Sequence, residues 1–78
     1  MRKVYVRVNA DFSPEGVVTP LSFVWEDGRQ FDIDHVLDIK RAASLKVGGL
    51  GLRYSIRVMG KDSYMWLEDE NKWFVEGK

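Results

Sequence analysis

The stretch Leu21-Ser22-Phe23-Val24-Trp25-Glu26-Asp27-Gly28-Arg29-Gln30-Phe31-Asp32-Ile33-Asp34 decides the class of fold. Apolar and polar residues alternate on both sides of Asp27-Gly28, the pattern of two half-buried strands joined by a turn. A two-residue turn at Asp27-Gly28 sets Phe23 opposite Asp32 and Leu21 opposite Asp34, an acid beside each apolar residue. A three-residue loop, Glu26-Asp27-Gly28, shifts the register by one. Trp25 then faces Arg29, Phe23 faces Phe31 and Leu21 faces Ile33. One face becomes apolar and the other polar, so this register is expected. It also puts Gly28 at the left-handed position that such a loop requires.

The same period of two recurs on both sides of this stretch. Val4, Val6, Val8, Ala10 and Phe12 alternate with Tyr5, Arg7, Asn9 and Asp11, a strand with one buried face. Ser13-Pro14-Glu15-Gly16 is turn chemistry, and Pro20 opens the next strand at an edge. Downstream, Phe31, Ile33, His35, Leu37 and Ile39 share one face of a long strand. Asp32, Asp34, Val36, Asp38 and Lys40 share the other. Residues 41–46 have the composition of one short helical turn, and Gly48, Gly49 and Gly51 suggest a flexible loop after it. Leu52 to Met59 reads as a strand, and Gly60-Lys61 as a two-residue hairpin turn. That turn pairs Ile56 with Met65 and Tyr54 with Leu67 inside, and Arg57 with Tyr64 and Ser55 with Trp66 outside. A last loop, Asp69-Glu70-Asn71 with Asn71 left-handed, pairs Leu67 with Trp73, Met65 with Val75 and Glu68 with Lys72. The expected architecture is all-β: one domain over residues 1–78, a small antiparallel six-stranded meander closing into a half-open barrel of the SH3-like or a similar kind.

Composition bounds the function. Seventy-eight residues hold one core, and 45% apolar content is that of a folded chain. With no cysteine there is no disulfide and no thiolate metal site. No apolar run approaches the roughly 20 residues of a membrane span. The charged start, Met1-Arg2-Lys3-Val4-Tyr5-Val6-Arg7, is unlike a secretory leader, so a cytoplasmic protein without membrane association is expected. Net charge is zero, yet the charges are sorted. Residues 40–61 carry Lys40, Arg41, Lys46, Arg53, Arg57 and Lys61 and no acid, while both flanking segments are acidic. This is either a patch for a polyanion or the internal counterweight of its neighbours. The second reading expects Arg53 or Arg57 near Asp34 or Asp38.

No constellation for catalysis, a cofactor or a metal is expected. The lone His35 has the parity of Ile33 and Leu37 and is expected in the core. Asp32, Asp34 and Asp38 lie on one strand face, where alternate side chains stand about 7 Å apart, too far to chelate one ion unaided. The serines lack a nucleophile-elbow context, and the glycines of 47–51 miss the phosphate-loop spacings. The most informative feature is the outer face of the last three strands, expected to carry Arg53, Arg57, Tyr64, Trp66 and Phe74, bordered by Lys46. Rings interleaved with cations are the composition of single-stranded nucleic-acid platforms. The same rings suit a protein or self-association surface, or a small second core covered by Ala42, Ala43 and Leu45. A cover ranks first, a protein interface second and nucleic acid third.

Residues Trp25 to Phe31, then Ile33-Asp34, Val36-Leu37-Asp38, Arg53-Tyr54, Gly60, Tyr64 and Trp73, resemble a small bacterial β-domain family. A similar pattern occurs in a domain of unknown function appended to some Y-family translesion DNA polymerases. The resemblance spans roughly residues 20 to 76 and rests on turn and core positions. It implies a fold and a link to DNA transactions, and it brings no catalytic residue.

Overall fold

The computed structural model describes residues 2–44 and 48–77. The described residues form seven strands: β1 (Arg2–Phe12), β2 (Val18–Val24), β3 (Gln30–Asp32), β4 (His35–Ala43), β5 (Leu50–Val58), β6 (Lys61–Glu68) and β7 (Lys72–Gly77). A short 3-10 turn, Asp69–Asn71, joins the last two. The strands make one antiparallel sheet in the order β3-β2-β1-β7-β6-β5-β4. The two end strands are consecutive in the chain, and that fact curls the sheet into a half-barrel. Ile33 N–H donates to Leu21 O at 2.9 Å, on the β2 side, and the next amide, Asp34 N–H, donates to Arg57 O at 2.8 Å, on the β5 side.

The first hairpin has the expected register. Phe23 faces Phe31 with the rings stacked at 5.5 Å, and Gly28 sits at φ +90°. Gly28 N–H donates to Trp25 O at 2.9 Å, closing the three-residue loop. The last hairpin also pairs as expected, Leu67 with Trp73 and Met65 with Val75, with Asn71 at φ +60°. Pro20 is buried inside β2 opposite Ala10, next to a bulge in β2 at Leu21, which faces no residue of β1 between the Asn9–Ser22 and Ala10–Pro20 pairs.

Four expectations are corrected. The long third strand breaks at Ile33-Asp34 because Asp34 turns to β5, so there are seven strands rather than six. Arg41–Ala43 continue β4 instead of turning helically, and Leu50 and Gly51 begin β5, because Ala42 pairs with Gly51 and Ala43 with Leu50. Residues 45 and 46 of the expected helical turn lie outside the described residues. The β5–β6 turn is Met59-Gly60, not Gly60-Lys61. Both residues have positive φ, +51° and +76°, the conformation whose twist matches that of the flanking strands. The pairing therefore slides by two, so that Tyr54 faces Met65, Arg53 faces Trp66 and Arg57 faces Asp62. Finally, His35 is exposed, because the bend before it resets the strand parity and turns Val36 inward instead.

The concave face holds the core: Val4, Tyr54, Ile56, Met65, Trp73 and Val75, with Phe23, Trp25, Ile33 and Leu52 packed around them. The Tyr54 ring lies 5.1 Å from that of Trp73, and its hydroxyl crosses the barrel to donate to Val18 O at 2.7 Å. Burial raises the Tyr54 pKa above the ordinary phenol value, so the hydroxyl stays a donor. Among the described residues, no helix is long and apolar enough to cross a membrane.

Candidate functional site

The convex face carries a row of residues paired across neighbouring strands: Tyr5 on β1, Phe74 on β7, Trp66 on β6, Arg53 on β5 and Lys40 on β4. Alternation along each strand puts them on one side, as the sequence implied. Trp66 and Phe74 lie parallel, centroids 5.1 Å apart with planes 4° from parallel. The Tyr5 ring meets Phe74 edge-on at 6.1 Å, and Lys3 Nζ sits 4.7 Å from the Phe74 centroid.

The centre of this row, Trp66 and Phe74, is a second small core. Trp66 and Phe74 are only 2% and 0% exposed, so neither offers a free face to a ligand. Part of the cover is visible: a Cβ on Gly49 would stand 3.1 Å from the Phe74 ring and 2.8 Å from Lys3 Nζ. Ser44, also buried, donates its hydroxyl to Glu76 at 2.8 Å. Ala42 and Ala43, expected in the cover, stay in β4, while Leu45 and Lys46 lie outside the described residues. Trp66 Nε1 and Arg53 Nε are buried with no hydrogen-bond partner among the described residues. Glu68 closes the far side, accepting from the Tyr5 hydroxyl at 2.7 Å and from Lys3 Nζ at 3.2 Å. The Tyr5 bond, then Lys3, holds the Glu68 carboxyl below the usual carboxylate range.

Of the other expected surface residues, Tyr64 is 45% exposed, with the Arg53 guanidinium 4.6 Å from its ring centroid. Arg57 Nε donates to Asp62 at 2.9 Å. The Asp62 hydrogen bond, and to a lesser degree the charge of Asp34, raises the Arg57 pKa. The basic middle segment is thus partly neutralised within the fold, by Asp62 as well as by Asp34. No three acids or histidines among the described residues are placed to hold a metal.

What the sequence reading passed over is β4. Among the described residues it hydrogen-bonds to β5 on one side only, and seven of its nine residues are exposed. Leu37 and Ile39 are 46% and 39% exposed. A bulge between Val36 and Asp38 sets Leu37 out of the ladder, beside Asp38. Next to it, on the convex face, lies a hollow of about 610 Å³ lined by Leu37, Asp38, Ser55, Asp62, Tyr64 and Glu76 among others. Lys40 Nζ and Asp38 Oδ2 stand 3.8 Å apart, both side chains more than half exposed. The only available signal was topological: β4 had to be the last strand of the sheet, which a pattern of alternation does not state.

No family model matches the sequence, and comparison with curated proteins and with solved structures finds no match. Among the described residues the chain is an antiparallel half-barrel with covered aromatic rings on its convex face, a short end strand, β3, and a long end strand, β4.

Proposed function

We propose that the chain is a non-catalytic interaction module that engages a protein partner, or another copy of itself, through the open edge of β4. The observation that carries this reading is a nine-residue strand, unpaired along one side among the described residues, with exposed Leu37 and Ile39 and an adjoining hollow. An unpaired strand edge presents amide and carbonyl groups that a second strand can complete, while side-chain pockets beside it supply specificity. Lys40 and Arg41 on the same strand blunt indiscriminate pairing, as charged residues do on natural edges.

The alternative, a nucleic-acid surface on the convex face, loses support from the burial of Trp66 and Phe74, since base stacking needs a free ring face. The resemblance to polymerase-appended domains directs the search for a partner first to proteins that handle DNA. A cytoplasmic setting belongs to the same proposal and is supported by the cysteine-free composition.

A photoreactive phenylalanine analogue in place of Ile39 tests the reading in native cells. Its control stands in place of Val17, which is 50% exposed on the β1–β2 connection. Adducts are expected from position 39 and not from position 17. No adduct at 39, or equal labelling at both, overturns the proposal.

A further inference from the structure

We infer that the strand completing β4 is β4 of a second copy, paired antiparallel about a two-fold axis at Ile39. The inference rests on the open-edge reading and adds the partner and its register. A continuous sheet with the concave sides of both copies facing the same way requires the axis to pass through a residue, because facing residues share a face.

Between the bulge at Leu37 and the alanines that end the strand, four axis positions remain, and charge separates them. An axis at Asp38 sets Asp38 against its own copy, one at Lys40 sets lysine against lysine, and one at Arg41 sets arginine against arginine. Like charges directly opposite destabilise a strand pair. An axis at Ile39 alone joins an apolar residue to itself and places Asp38 of each copy opposite Lys40 of the other. Both have convex-face parity, Asp38 being paired with Ser55 and Lys40 with Arg53.

The neighbouring hollow reinforces the choice. Asp38, Asp62 and Glu76 put three carboxylates around it, so Lys40 of the second copy arrives at an acidic surface. Within one chain the Asp38–Lys40 pair is loose at 3.8 Å, and both groups are free to turn to the other copy. The bulge at Leu37 ends the regular pairing on one side, limiting the contact to a few residues and placing it in the weak, reversible class. A two-fold contact of this kind closes on itself and does not propagate into fibres.

The test is sedimentation equilibrium of the full chain up to millimolar concentration, with D38K, K40D and the double exchange D38K/K40D. All change exposed side chains, and circular dichroism checks that each variant keeps the strand spectrum. A weak dimer is expected for the parent chain. Each single exchange should weaken it about tenfold by replacing two opposite-charge pairs with two like-charge pairs, and the double exchange should restore it to within about threefold. A chain that stays monomeric, or a dimer indifferent to the exchanges, overturns the inference. If the chain is monomeric while Ile39 is labelled by a different protein in cells, only the second copy falls. If Ile39 is not labelled at all, the open-edge reading falls with it.

Discussion

Trp66→Ala is expected to lower unfolding stability by about 3–5 kcal/mol, the range for removing a large buried aromatic. The ring is 2% exposed and stacked flat on Phe74, and it supports the Tyr64 ring 6.0 Å away. Its loss opens a cavity between two faces that cannot collapse, because Phe74 is held from the other side by Tyr5 and Lys3. A domain of this size has a total stability of only roughly 5–15 kcal/mol, so the variant should be largely unfolded at moderate urea. Urea denaturation followed by circular dichroism measures the loss. A variant within about 1 kcal/mol of the parent would mean that the ring is a surface residue, and the binding-platform reading of the convex face would return.

The second large effect is expected at a residue with no side chain. Gly51→Ala should destabilise by on the order of 3 kcal/mol through overpacking. A Cβ there would stand 2.3 Å from Leu67 O and 2.9 Å from Leu67 C, both backbone atoms of the adjacent strand. Nothing flexible can move aside, so β5 and β6 must part where Leu52 pairs with Leu67. The need is for space and not for an unusual backbone angle, since Gly51 does not have a positive φ. The same denaturation experiment reads the result. A neutral Gly51→Ala would show that the strands are further apart than described.

Legibility from sequence divides along physical lines. The first and last hairpins were readable because a one-residue slip there exchanges apolar for charged residues, and burial forbids it. The β5–β6 hairpin was misread because its two candidate registers differ by two residues. Such a slip leaves every side chain on its own face, and only the left-handed Met59 at φ +51° selects between them. His35 was misplaced because alternation counts through a bend as if the strand were straight. The rings of the convex face were correctly assigned to one side, but whether that side is wet depends on Ser44 and Gly48-Gly49 folding back, a long-range contact that no local pattern encodes. The open edge was invisible for a related reason. Leu37 and Ile39 share the parity of Phe31 and Ile33 and look like core residues until the topology leaves β4 with a neighbour on one side only among the described residues.

An open, contact-making β4 leaves a signature in amide hydrogen exchange along the chain, compared between dilute and concentrated protein. In dilute solution the outward-pointing amides of β4 should exchange far faster than those of β6 and β7, which are paired on both sides. Raising the concentration should protect residues 37–41 and leave the rest unchanged. β4 amides as slow as those of β6 in dilute protein, or protection gained on another strand instead, would contradict it.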